Sequence, residues 1–540
     1  MKSTQNTPST NVDSHATTDN ANANAAAAAD RTVTANATAA AIENRPSSVK
    51  IGARSLALAA GILLALIVLS GVLTRTLPPG EYQRVVTDGR TSVVDGSFSY
   101  LNPQQIAEVR ADQPVWRWFT APVEVLWGDN RVTIAVIAAF LFFVGGSFTI
   151  VEKVGVMESI LVRAVDRFSD RKYLLMALVM AVVMVLSSFV GLYEGLLPIV
   201  IFIVPLAITL GWDSLTGLGM SLLAMGFGFA AAVTNPFTVQ VPQTIAELPV
   251  NSGAWLRIPF LLIAYIVAFG FTAWYARKVE KTPSKSLSYK ADEELRHQYD
   301  REVVLSGRDA AMRPEMTRAI TWFGYAMGLG VVMMLTASTL TATGIWPGAS
   351  DLSFPLLALV FLFAGLGSGH LGGLRGRKLA RVFFKGMLNI LPGLVLILMA
   401  MSVPHIMTRG KVMDTILFSA GEMIRDSGPY NAVFLIYAVT LLLNFFVSSA
   451  SAKAFLMMPI LIPLAEMTGL TRQTTVLAFS LGDGFSNILY PTNALLLIGL
   501  SFTKVGWGTW FRWSIKVQLL MIFFSLILLV VAVKLVFGPF

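Results

Sequence analysis

Two stretches of this chain, 258 residues apart, carry the same punctuation. Pro205-Leu206-Ala207 recurs as Pro463-Leu464-Ala465, Gly211 as Gly469, Gly226-Phe227 as Gly484-Phe485, and Asn235 as Asn493. The same offset carries Lys153-Val154 onto Lys411-Val412. A single offset that holds from 153 to 235 marks a duplication. Whatever backbone path the first copy takes, the second must be able to take as well.

Composition says what medium both copies fold in. Of 540 residues, 55% are apolar and only 14% charged, too few charges to cover a water-soluble chain of this length. Apolar runs at 55–76, 132–151, 173–190, 255–274, 387–403, 430–448 and 515–536 are long enough, or nearly so, to cross a hydrocarbon layer about 30 Å thick. Backbone polar groups in lipid must be satisfied within their own element, so such spans are helices. The fold class is therefore an all-α polytopic membrane protein, with the lipid bilayer as its partner. The net charge of +9 sits between spans and not on one patch, so it reads as basic cytoplasmic loops and not as a nucleic-acid surface. Without cysteine there is no disulfide or thiolate chemistry. The four histidines, His15, His297, His370 and His405, show no metal-ligand spacing, and no cofactor is expected.

Loop charge orients the spans. Residues 1–50 are Ala, Thr, Asn and Ser-rich, and are expected to form a disordered N-terminal tail on the cytoplasmic side. Residues 51–76 read as the first transmembrane helix and not as a cleaved leader. The 77–130 loop holds seven acidic residues against four basic ones and goes to the periplasm. The 277–316 loop carries nine basic residues. The 371–385 segment has Arg375, Arg377, Lys378, Arg381 and Lys385 with no acidic residue, and both of these go to the cytoplasm. A first repeat over 131–276 and a second over 387–540, joined through linking helices and the basic segment at 317–386, then point in opposite directions. Paired, inverted halves with matched Gly, Pro and Asn positions are a signature of transporters. In each copy an amphipathic stretch (153–170; 411–428) is expected to lie at the interface.

Chemistry is expected where polar residues interrupt the apolar runs. The first pair of interruptions is Ser187-Ser188 through Gly191, Glu194 and Gly195, matched by Asn444 through Ser448-Ser449 and Lys453. Lipid-facing backbone could not tolerate such breaks, so these read as re-entrant hairpin tips or unwound helix centres; close packing of small residues is the bland alternative. The second pair is Thr234-Asn235-Pro236 with Thr238, and Asn487 through Pro491-Thr492-Asn493. Proline inside a span frees carbonyls for a cation or polar solute, and the next half-helix offers N–H groups to an anion. Glu194, Lys453 and Asp483 are charged within these stretches and are expected to face a cavity or one another. Gln240 and Gln243 follow the first break as further polar candidates. Trp274, Tyr275, Trp507 and Trp510 read as interface anchors.

Val233-Thr234-Asn235-Pro236-Phe237-Thr238-Val239, Gly191-Leu192-Tyr193-Glu194-Gly195 and Tyr490-Pro491-Thr492-Asn493 together give a resemblance over about 55–536. The chain resembles the YfcC-like group of bacterial inner-membrane transporters, related to the anaerobic C4-dicarboxylate carriers and to arginine/ornithine antiporter-like proteins. The resemblance implies two inverted structural repeats with re-entrant hairpins and discontinuous transmembrane helices, working by an elevator-like movement as a homodimer. It also implies Ser-Asn-Thr motifs at the tips and breaks that contact cation and substrate. Only partial matches occur, at Ser187-Ser188, Thr234-Asn235, Ser448-Ser449 and Thr492-Asn493.

The expectation is a secondary active transporter that moves a small organic ion, an amino acid or a carboxylate, across the inner membrane. Coupling would be to H⁺, to counter-substrate or to Na⁺, the last near Thr234, Asn235, Thr492 and Asn493. A channel or passive facilitator is the alternative reading. No ATP-binding GxxxxGK[ST] pattern is present, and the expectation is not an enzyme. An intramembrane hydrolase would need a base near Ser187 or Ser448.

Overall fold

The computed structural model describes residues 53–538 apart from 88–89, 129–130, 307–311, 344 and 347–348. The tail expected to be disordered, 1–50, lies outside the described residues. The chain opens with α1 (Ala53–Thr76) and a small polar cap of β1 (Gly80–Glu81), β2 (Arg84–Thr87), β3 (Arg90–Val93), β4 (Ser99–Tyr100), α2 (Pro103–Asp112) and α3 (Trp116–Glu124). The first copy follows as α4 (Arg131–Val154), α5 (Val156–Phe168), α6 (Lys172–Val185), α7 (Val200–Thr209), α8 (Ser214–Leu218), α9 (Ala224–Ala230), α10 (Val241–Ile245) and α11 (Ala254–Lys281). The link holds α12 (Glu293–Tyr299), α13 (Arg301–Ser306), α14 (Pro314–Ala342) and α15 (Ser353–Leu371). The second copy is α16 (Gly376–Arg409), α17 (Met413–Arg425), α18 (Pro429–Asn444), α19 (Ala450–Met467), α20 (Arg472–Ser486), α21 (Ala494–Ser501) and α22 (Trp507–Lys534).

Among the described residues, eight helices are long and apolar enough to cross a membrane, while the run at 430–448 forms the shorter α18. Their faces are sorted for lipid. On α22, Trp510, Val517, Met521 and Leu529 are buried, whereas Leu519, Phe523 and Ile527 are exposed. An apolar outer face suits hydrocarbon, where the backbone is already satisfied within the helix.

The copies repeat element for element at the 258-residue offset. Helix α5 maps onto α17, α6 onto α18, α8 with α9 onto α20, and α11 onto α22. Gly211 and Gly469 both take a left-handed turn, at φ +86° and +80°, where a Cβ would be strained. Two residues on, Asp213 and Thr471 cap the next helix by accepting from Thr216 N and Thr474 N. The mates also meet in space. A Cβ on Gly226 would lie 2.5 Å from Ile488, and one on Gly484 would lie 2.1 Å from Cα of Ala230; Ala230 and Ile488 are themselves mates. Phe227 packs edge-on against its own mate Phe485, ring centres 5.3 Å apart. Reciprocal contacts of this kind are the pattern that a two-fold relation leaves.

Two segments expected as loops are folded and docked. In 77–130, β1 pairs with β4 and β2 with β3, both antiparallel. The cap is tied to the second copy: Asp414 accepts from Tyr82 N (2.9 Å) and from Arg84 Nη2 (2.8 Å). Lys411 pairs with Glu81 at 2.7 Å, and Phe98 stacks on Phe418. In 277–316, the polar strap after α11 wraps the start of α8. Asp213 accepts from Tyr275 Oη (2.9 Å) and Ser286 Oγ (2.6 Å), while Asp292 accepts from Ser214 N (2.9 Å) and Ser288 Oγ (2.6 Å). Tyr299 Oη donates to Glu152 at 2.8 Å. Charge and polarity read locally mark both segments as loops; partners such as Asp414 for Tyr82 and Asp213 for Tyr275, 332 and 62 residues away, leave no local pattern.

Candidate functional site

In the first copy two interruptions are stitched together. Helix α6 ends in a wide turn over Leu186–Val190, and Gly191 at φ +73° stops it. Helix α9 ends at Ala230, the chain runs unwound through 231–235, and helix resumes at Pro236. Ser188 Oγ donates to Ala231 O (2.7 Å) and accepts from Val233 N (3.1 Å). Thr234 Oγ1 donates to Phe189 O (2.8 Å), and Asn235 Nδ2 to Ser187 O (3.3 Å). Backbone groups orphaned at one break therefore find partners at the other, which lets non-helical backbone persist inside a bundle of apolar helices.

The second copy makes the same junction with different side chains. Helix α18 ends at Asn444 and α20 at Ser486. Asn444 Nδ2 donates to Asp483 O (3.0 Å), Ser486 Oγ (2.6 Å) and Asn487 Oδ1 (3.1 Å). Asn493 Nδ2 donates to Asn487 Oδ1 at 2.8 Å. The Lys453 ammonium pairs with the Asp483 carboxylate and donates to Asn444 Oδ1, and both charged side chains are fully buried. Asn235 and Asn493 are matching N-caps: Oδ1 of Asn235 accepts from Phe237 N and Thr238 N, and Oδ1 of Asn493 from Leu495 N and Leu496 N. Capping of this type stabilises a helix start by about 1 kcal/mol.

The expected site residues divide into two groups. Ser187, Ser188, Thr234 and Asn235 meet in the first junction, and Lys453, Asp483, Asn487 and Asn493 in the second. Thr238 and Thr492 are buried beside these junctions, each with a hydroxyl that has no hydrogen-bond partner among the described residues. Ser448 and Ser449 are exposed at the tip before α19, where Ser449 caps that helix. Glu194 is half-buried on the turn Glu194–Ile199 and takes no part in the Lys453–Asp483 pair. Gln240 donates to Thr234 O (2.9 Å), and Gln243 to Ser252 O (2.9 Å).

Several contributors escape the sequence reading. Trp507 and Trp510, expected as interface anchors, instead donate their indole N–H groups to Leu489 O (3.0 Å) and Ile488 O (2.7 Å), carbonyls of the second break. Tyr275 is buried against Asp213, and Trp274 alone of the four stays exposed. Arg257 Nε donates to Val233 O at 3.1 Å, supporting the first break from α11. Pro491 was the available signal for the indoles, because carbonyls near a mid-span proline need donors from elsewhere.

At the place expected for Na⁺ the two capping amides are already engaged. The amide oxygens of Asn235 and Asn493 each accept two backbone N–H groups, which occupies both lone pairs. Among the described residues no three His, Asp or Glu side chains gather as metal ligands.

Comparison with known proteins bears on the same span. The family model for the C4-dicarboxylate anaerobic carrier (DcuC) matches residues 56–534. The YfcC protein of Escherichia coli (strain K12) is 30% identical over 404 residues, covering 72% of this chain and 76% of YfcC. An uncharacterized protein of Haemophilus influenzae (strain ATCC 51907 / DSM 11121 / KW20 / Rd) is 24% identical over 409 residues, 75% of this chain and 77% of that one. Among solved structures, Neisseria gonorrhoeae MtrF aligns over 88% of this chain and 94% of its own, with a TM-score of 0.38 at 16% identity. Eight helices long and apolar enough to cross a membrane, together with this family match, make the chain a multi-pass membrane protein of a transporter family. The chain belongs to the C4-dicarboxylate anaerobic carrier family.

Proposed function

We propose that the protein is a secondary active transporter that moves a small polar organic ion, an amino acid or a carboxylate, across the bacterial inner membrane by alternating access. The observation that carries the reading is the Lys453–Asp483 pair, fully buried at the junction of the second copy's two interruptions. Charges inside a membrane protein are costly unless paired, and they mark ion and substrate pathways. A proton on Asp483 would neutralise the carboxylate and release the Lys453 ammonium toward an anionic group. This favours H⁺ over Na⁺ as the coupling ion, in keeping with the saturated amide oxygens of Asn235 and Asn493. Reciprocal contacts between repeat mates, together with the basic 371–385 segment, support two inverted halves and a cytoplasmic N-terminus. The family's description points to C4-dicarboxylates, while YfcC carries a provisional name as a basic amino acid antiporter; both solute classes bear a carboxylate. A homodimer remains part of the proposal.

The test is a solute panel on the full chain in proteoliposomes: labelled L-lysine, L-ornithine, L-alanine and succinate, each under imposed H⁺ and Na⁺ gradients. The expected result is saturable uptake or exchange driven by the H⁺ gradient and indifferent to Na⁺. Asn235→Ala and Asn493→Ala should each cut the flux at least tenfold at near-normal protein levels. Flux that fails to saturate would favour a passive channel. Full transport in both variants would end the shared-site reading.

A further inference from the structure

Among the described residues two basic side chains are fully buried, Lys453 and Arg257. Lys453 has Asp483. Among the described residues Arg257 has no carboxylate and its buried Nη1 no hydrogen-bond partner; its guanidinium reaches Val233 O through Nε (3.1 Å) and Ser252 O through Nη2 (2.7 Å). At 2% exposure it is a permanent charge with a spare donor, held in a membrane protein without a counter-charge. Such a charge is destabilising unless an anion meets it.

Its position says which anion. The Val233 peptide lies at the centre of the first break, with its N–H on Ser188 and its carbonyl on Arg257. The guanidinium therefore touches the unwound segment at its centre. Thr238, whose buried hydroxyl also lacks a partner, sits on the half-helix that starts after Asn235. A planar guanidinium with free N–H groups suits a carboxylate in a way that a point-charge ammonium does not. The arrangement is also fixed by the loop that precedes α11. Ser252 O accepts from Gln243 and Gln473 besides Arg257, so the arginine's aim is set by a crowded polar loop and not by a flexible stem.

Resting on the transporter reading above, we propose that Arg257 binds a carboxylate of the transported solute at the first break and selects for it. The competing account is purely mechanical: Arg257 staples the 246–253 loop to the break and touches no solute. The two differ in selectivity. A staple affects all solutes alike, whereas a ligand affects only the difference between a carboxylate and its neutral isostere.

The experiment uses the full chain in proteoliposomes, with L-lysine, L-alanine and succinate each compared with its carboxamide (lysinamide, alaninamide, succinamide). For whichever probe is carried, the wild type should prefer the carboxylate by tenfold or more in half-saturating concentration. Arg257→Gln, which can still donate to a carbonyl, should bring carboxylate and amide within about twofold, and Arg257→Lys should fall between. Should the Gln variant fail to fold, the Lys variant decides, because the staple account leaves its preference at the wild-type value. Unchanged preference in the folded variants, or a wild type that carries acid and amide equally, overturns the role of Arg257 and leaves the transporter standing. Absence of flux for every probe in the wild type counts against the proposed function itself.

Discussion

Lys453 and Asp483 are the residues at which chemistry and stability are hardest to separate. Each is buried, and Asn444 accepts from the Lys453 ammonium while donating to the backbone carbonyl of Asp483. Removing one partner leaves a lone charge in a low-dielectric interior, a loss of about 3–5 kcal/mol. Lys453→Met and Asp483→Leu should therefore each lower the melting temperature of the detergent-purified protein clearly. The double variant should recover most of the loss, since a matched apolar pair strands no charge. Melting losses that simply add in the double variant would show that the two side chains do not act as a pair. Both residues were legible in the sequence as charges inside apolar runs, expected to face a cavity or one another, but which carboxylate the lysine takes was not. With Glu194, Lys453 and Asp483 all available, only the packing of α19 on α20 sorts the lysine to Asp483 and leaves Glu194 outside the pair.

At the scale of elements, the breaks are where sequence and structure agree most closely. Asn before a new helix start, proline near it and glycine at the turn are local devices, and local devices can be read along a chain. The crossing of the copies is a different matter. Gly484 faces the backbone of Ala230, with 2.1 Å between a would-be Cβ and Cα, while Gly226 faces the Ile488 side chain, nearest at its Cγ2 methyl 2.5 Å away. Backbone cannot yield as a side chain does, so Gly484→Ala should destabilise by more than Gly226→Ala, by roughly 1–3 kcal/mol as overpacking does. Thermal melts of the two variants check the order, and equal melts would mean that the helices slide apart at no cost. The indoles of Trp507 and Trp510 belong here too. As residues they match interface anchors, and only the proximity of α22 to 488–489 turns them into donors for the second break.

For the whole molecule, the segments outside the membrane behave as fitted parts. Burial, and then the nearby Asp213 charge, push the Asp292 carboxyl up to about 6, against the opposing pull of Ser214 and Ser288 hydrogen bonds. A carboxyl whose folded value is raised holds its proton more tightly when docked. Its contribution is thus present below about pH 4, and is lost as pH rises through about 6. Docking of the strap over 282–300 should therefore tighten on acidification from pH 7 to pH 5. Hydrogen exchange in peptides from this strap should slow more, over that interval, than in peptides from α22. Asp292→Asn should remove this extra slowing, and a wild-type strap that slows no more than α22 would refute the assignment.

The sequence by itself determined the medium, the duplication and the places where helices stop. Each follows from nearest-neighbour physics: apolar runs must be helical in lipid, and proline, glycine and capping Asn act within a turn of where they stand. The tertiary structure alone decided which broken ends meet, which charge neutralises which, and that the polar cap and strap are folded. Tyr82 with Asp414, Asn444 with Asp483 and Arg257 with Val233 are 332, 39 and 24 residues apart. A hydrogen bond over such a separation depends on how helices pack, and packing is a property of surfaces that no local pattern encodes.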